Sequence, residues 1–72
     1  MTQETHENRL RVLRAEQRIT QLRLAARTRI NPTRIWRIEN AVVTATDEEK
    51  ARIALALGVT VPAVWPDVSP SA

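Results

Sequence analysis

The 72-residue chain has no cysteine, a single histidine, one glycine and no long apolar run, and each shortage closes off a class of protein. Without cysteine, neither disulfides nor a thiolate zinc site can reinforce a small core, and a reducing, cytoplasmic compartment is expected. A membrane-spanning helix needs ~20 consecutive apolar residues, and nothing here approaches that. Met1 to Asn8 is polar and acidic, unlike a leader. A soluble protein with no membrane partner is the expectation. At 8.2 kDa there is room for one domain, and a domain of this size buries only about 60% of its unfolded surface, which disfavours an enclosed substrate pocket. His6, the one histidine, lies in the expected flexible start and has no metal-ligand spacing around it. No catalytic set, no metal, no cofactor and no enzymatic activity are therefore expected.

What the chain does have is arginine. Residues 9 to 37 hold Arg9, Arg11, Arg14, Arg18, Arg23, Arg27, Arg29, Arg34 and Arg37 against one acid, Glu16, a local charge of +8 in a chain whose net charge is +3. Asp47, Glu48 and Glu49 concentrate negative charge in the second half. The basic half is the expected partner face. Arginine's planar fork suits bidentate contact with phosphate or guanine, although codon bias in the host also produces arginine-rich chains.

Capping residues divide the chain into five short helices. Asn8 can cap a first helix through about Gln17, with Leu10 and Leu13 inward and Val12 near the edge. Thr20 caps a second, Gln21 to Thr28, in which Leu24, Ala25 and Thr28 recur at helical spacing. Asn31 and Pro32 open a third, Pro32 to Asn40, because proline at the first helical position sacrifices no hydrogen bond. Ile35 and Ile38 face inward there, leaving Thr33, Arg34 and Arg37 outside. After a loop to Ala45, Thr46-Asp47-Glu48-Glu49 reads as a capping box, a simpler explanation of these acids than acid–base chemistry. Ile53, Ala54 and Leu57 face inward on this fourth helix, which should end at Gly58 in a left-handed cap. Thr60 then caps a short fifth turn with Val61, Val64 and Trp65 apolar, before Pro66 and Pro70. The expected organisation is a flexible N-terminus at 1–7, a domain at 8–66 and a flexible tail at 67–72.

Two helices joined by a three-residue turn also occur in proteins that bind nothing, so spaced residues must carry the distinction. Leu13-Arg14, Ile19-Thr20-Gln21, Leu24-Ala25, Ile30, Ile35, Arg37-Ile38-Glu39 and Ala56-Leu57-Gly58-Val59 together resemble the lambda-repressor/Cro family of DNA-binding domains, over about Leu10 to Trp65. The resemblance implies an all-α, compact bundle of five short helices with a central helix-turn-helix, whose third helix enters the major groove of double-stranded DNA. It implies base reading by Thr33, Arg34 and Arg37, and phosphate contacts from Thr20, Gln21, Asn31 and Asn40. For Arg34, base contact and mere phosphate contact stand about even. Arg14 and Glu39 match a partly buried salt bridge that ties the first helix to the end of the third.

Three positions depart from the family pattern. Arg29 stands at the usual turn glycine, so either a left-handed backbone costing ~1–2 kcal/mol or a different turn is expected. Thr28 stands at a core leucine, and Ala41 at the glycine that usually ends the third helix, so looser packing under the turn is expected. Trp36 lies on a less buried flank, with packing ranked ahead of a DNA-backbone contact or a partner surface. Trp65 should be core. Leu22, Val42 and Val43 are expected to stay exposed, and a cluster of them would suit a two-fold dimer contact or a protein partner. The functional expectation is a small phage-type repressor acting on its operator as a homodimer. A DNA-binding antitoxin and an interaction module that keeps only the fold are the alternatives.

Overall fold

The computed structural model describes residues 8–66; the flexible ends expected at 1–7 and 67–72, and His6 with them, lie outside the described residues. Five helices follow in order: α1 (Leu10–Gln17), α2 (Gln21–Thr28), α3 (Pro32–Glu39), α4 (Asp47–Leu57) and α5 (Val61–Val64), with no strand among the described residues. Their starts are set by short-range chemistry. Thr20, Asn31, Thr46 and Thr60 each accept a hydrogen bond from a backbone N–H in the first turn of the helix that follows. The Thr46 box is reciprocal: its Oγ1 accepts from the Glu49 N–H at 3.1 Å, and Glu49 Oε1 accepts from the Thr46 N–H at 2.9 Å. Asn8 works one residue earlier than a cap would, its Oδ1 accepting from the Leu10 N–H, while Arg9 occupies the cap position without a side-chain bond. The third helix closes at Glu39, with Asn40 as its C-cap rather than its last residue.

Four of the five helices end in one recurring way. Arg18, Arg29, Ala41 and Gly58 all adopt left-handed backbone, with φ of 56°, 61°, 60° and 72°. The residue after each donates its N–H back into the last turn: Ile19 to the Arg14 carbonyl, Ile30 to Ala25, Val42 to Arg37 and Val59 to Ala54. This is the closure in which a residue in the left-handed conformation reverses the chain and an apolar residue follows it. Only one of the four is glycine, so three carry the Cβ penalty of ~1–2 kcal/mol. Of the alternatives open at Arg29, the left-handed one is realised. Arg29→Gly should raise stability by about 0.5–1 kcal/mol, the relief of strain less the entropy that glycine adds to the unfolded chain. A urea midpoint unchanged or lowered in that variant would contradict the strain.

One core joins the five helices. Leu10, Leu24, Ile35, Ile38, Ile53 and Val64 are fully buried, and Trp65 is core as expected. α2 packs on both α3 and α4, while α4 also carries α1 and α5. Thr28 is buried where a leucine is expected; its hydroxyl donates to the Leu24 carbonyl and accepts from the Ile30 N–H, so the polar group sits satisfied beneath the turn. Longer-range bonds fasten both ends of α1 to the rest of the fold: Arg9 N–H to the Val64 carbonyl, Asn8 Nδ2 to the Ile38 carbonyl and Gln17 Nε2 to the Leu57 carbonyl. Two expectations about apolar residues change. Trp36 is 49% exposed, so it is not primarily a packing residue, and Val43 packs partly against the core rather than standing free with Val42 and Leu22. The polypeptide after α3 turns back sharply at Ala41, which pulls Val43 inward and leaves Val42 outside. No helix of the described residues is long and apolar enough to cross a membrane.

Candidate nucleic-acid interface

The candidate interface is organised by a carboxylate that faces inward. Glu39, at the end of α3, has a side chain only 1% exposed, and it receives four N–H donors. Arg14 reaches it side-on, Nε to Oε1 and Nη2 to Oε2, both at 2.9 Å. Arg11 Nε donates to Oε2 at 3.2 Å and Gln21 Nε2 to Oε1 at 3.3 Å. Burial alone would raise this carboxyl's pKa; the bonds from Arg14, Gln21 and Arg11, with the charge of Arg14, outweigh it and hold the group below its ordinary value. Arg14 also donates Nη1 to the Ile19 carbonyl at the end of α1. Arg14 and Glu39 are thus joined, and the cluster ties α1, the start of α2 and the end of α3 into one unit. Arg11 is the member that spacing did not point to.

The outer face of α3 is thereby fixed in orientation. Thr33 and Arg37 are exposed at its surface, as is Trp36. Arg34 is different. Its guanidinium pairs side-on with Glu49 of α4, Nε to Oε2 and Nη2 to Oε1, both at 2.9 Å, with the Arg34 side chain 35% exposed. Each partner stabilises the ionised form of the other: the hydrogen bond from Arg34 is the largest influence lowering the Glu49 carboxyl, and that same bond raises Arg34. The capping-box pattern explains Glu49 as a helix start, and nothing in residue spacing joins it to a position fifteen residues away.

Two of the remaining candidates, Thr20 and Asn31, share a property that suits phosphate. Thr20 Oγ1 and Asn31 Oδ1 are used as acceptors by the helix starts, at 3.0 and 2.7 Å, which leaves the Thr20 hydroxyl hydrogen and the Asn31 Nδ2 group as donors facing outward chemistry. Both sit at helix N-termini, where the exposed backbone N–H groups and the helix dipole favour an anion. Gln21, half-buried, spends one amide hydrogen on Glu39. Asn40 accepts from Arg11 Nη2 at 2.7 Å and donates to the Trp36 carbonyl at 2.9 Å, so it braces the end of α3. Among the described residues Arg23, Arg27, Arg29 and Arg37 have no carboxylate within ion-pair distance, and all four are exposed. No group of three or more potential metal ligands occurs among the described residues.

A short helix, a tight left-handed turn and a second short helix with a polar, cationic outer face define a helix-turn-helix domain. The chain belongs to the helix-turn-helix domain family, which matches it over residues 8–64 and is a family of DNA-binding domains. No curated protein matches the chain at a significant level.

Proposed function

We propose that the chain is a sequence-specific, double-stranded-DNA-binding transcriptional regulator of the Cro-like kind, a small phage-type repressor that acts by occluding a promoter. The observation that carries this reading is the division of α3 into an inner flank locked by Ile35, Ile38 and Glu39 and an outer flank presenting Thr33, Arg34 and Arg37. A helix held this firmly can lie in the major groove in one register, where arginine meets guanine and threonine meets a thymine methyl or a phosphate. Thr20, Gln21, Asn31 and Asn40 supply the phosphate contacts that set that register. Binding as a homodimer places two such helices on half-sites one helical turn apart, and Trp36 and Val42 are exposed apolar candidates for contacts between protein chains.

The test is binding to a selected duplex across a salt series, where log Kobs should fall against log salt with a slope of about −0.9 per neutralised phosphate. Arg34→Ala should relax preference at one base pair by roughly ten- to a hundredfold. Gln21→Ala should instead weaken every site alike, by roughly three- to tenfold. A flat salt response would reject DNA binding in favour of an interaction module. Equal losses for the two variants on all sequences would reject base reading by Arg34. Selection of bound sequences from random DNA that yields a two-fold symmetric consensus would support the dimer.

A further inference from the structure

Resting on the reading of α3 as the recognition helix, we propose that Glu49 of α4 is a specificity-positioning residue, holding the Arg34 guanidinium by one edge so that its free edge is presented to guanine. The guanidinium fork carries five N–H donors in a plane. Glu49 occupies two of them, one on Nε and one on Nη2. Both hydrogens of Nη1 and the second hydrogen of Nη2 remain, and Nη1 has no acceptor among the described residues. One hydrogen from each of those two nitrogens points the same way, which is the arrangement that the O6 and N7 acceptors of guanine require. The side-on pairing therefore leaves the base-reading edge intact.

Glu49 is itself held. Its Oε1 accepts from the Thr46 N–H at 2.9 Å while its own N–H is held by Thr46 Oγ1, so the carboxylate cannot swing without opening the start of α4. A long, flexible arginine is thus ordered in the free protein, and less freedom is lost when a base is bound. The carboxylate also offsets the arginine's charge, which lowers its attraction to phosphates of any sequence. Position 49 should accordingly affect discrimination and non-specific affinity in opposite senses. A merely structural role in α4 would move neither in that way.

The experiment uses the full chain and two duplexes: a consensus from random-DNA selection, and the same duplex with one G·C pair replaced at the position whose preference Arg34→Ala abolishes. Glu49→Gln keeps the capping box, since glutamine serves at that position, and a melting temperature lowered by no more than about 4–8 °C, the loss of one partly exposed ion pair, verifies that the domain stays folded. Its ratio of affinities for the two duplexes should be about five- to tenfold lower than in the wild type, while affinity for unrelated DNA rises and the salt slope steepens by about one phosphate. In an Arg34→Ala background, Glu49→Gln should leave the ratio unchanged. A ratio within about twofold of wild type, or a ratio that increases because Glu49 was restraining Arg34 from the base, overturns the positioning role while leaving DNA reading intact. If Arg34→Ala abolishes no preference, the positioning role falls with that base contact although the chain still reads DNA. If no consensus emerges at all, the DNA-reading assignment fails first.

Discussion

Replacing Glu39 by alanine is expected to lower stability by about 3–5 kcal/mol, enough to leave much of a small domain unfolded at ambient temperature. The size follows from what stays behind. Arg14, 17% exposed at its side chain, would keep its bond to the Ile19 carbonyl but lose both bonds to the carboxylate. Arg11 and Gln21 would lose one each. The uncompensated charge, rather than any large net value of the pair, produces the loss. Arg14→Ala should be similarly damaging because it strands a carboxylate that is almost fully buried. Arg11→Ala should cost less than about 1 kcal/mol, as Arg11 is 66% exposed and the Glu39 carboxylate keeps its bonds from Arg14 and Gln21. Urea unfolding of Arg14→Ala, Glu39→Ala and the double variant should give a coupling of about 1–3 kcal/mol. Additive losses would show that the two side chains do not act together.

The same cluster fixes the response to acid. The Glu39 carboxyl lies below its ordinary value of 4.5 when folded, so the folded state gives up protons that the unfolded chain still binds. That stabilising contribution is complete above the ordinary value and disappears as pH falls through the folded one. Glu49 is shifted in the same direction by Arg34 and adds to the effect. Urea midpoints should therefore drop as pH falls below about 4.5, and the Glu39→Gln/Glu49→Gln pair of changes should flatten that drop while lowering the plateau.

Ile35→Ala should cost about 2–5 kcal/mol, the second large effect, and it bears on function through the orientation of α3. Ile35 is 0% exposed and lies on the inner flank of an eight-residue helix, a length that has little stability by itself in water. Removing three carbon atoms leaves a cavity where α3 meets the core, and Ile35→Val should cost only about 0.5–1.5 kcal/mol. Melting followed by far-UV circular dichroism should order the variants wild type, valine, alanine. A specific duplex, binding only the folded state, should raise the melting temperature of all three. A loss under about 1 kcal/mol for Ile35→Ala would mean that α3 is not fastened by this face.

Helix starts were readable because they are local. Thr20, Asn31-Pro32, Thr46 with Glu49, and Thr60 each act on N–H groups within three residues, so their spacing in the chain is their geometry. Helix ends were readable where glycine marked them, at Gly58, and through the family resemblance at Arg29 and Ala41. Arg18, left-handed without any glycine-like sign, shows how an end can be dictated instead by burial of the next residue, Ile19. The Arg14 to Glu39 bridge came from resemblance, since the two positions meet only after α1 and α3 have packed. The Arg34 to Glu49 pair was illegible for the same reason, and the local role of Glu49 in its capping box was sufficient to account for it. The exposure of Trp36 and the partial burial of Val43 are not legible in the sequence, because flank exposure depends on how far α3 rotates against α2 and where the chain turns after it.

The closures at the two ends of α3 make it an exchangeable cassette. Asn31 Oδ1 accepts from the backbone N–H of Thr33 at its start and the Val42 N–H, following left-handed Ala41, donates to the backbone carbonyl of Arg37 at its end, so neither closure uses the side chains at positions 33, 34 and 37. The side chains of Thr33 and Arg37 can therefore be exchanged without disturbing the frame. Arg34 is different: any uncharged side chain at position 34 leaves the Glu49 carboxylate without its cation, so a redesigned outer face of α3 has to alter positions 34 and 49 together.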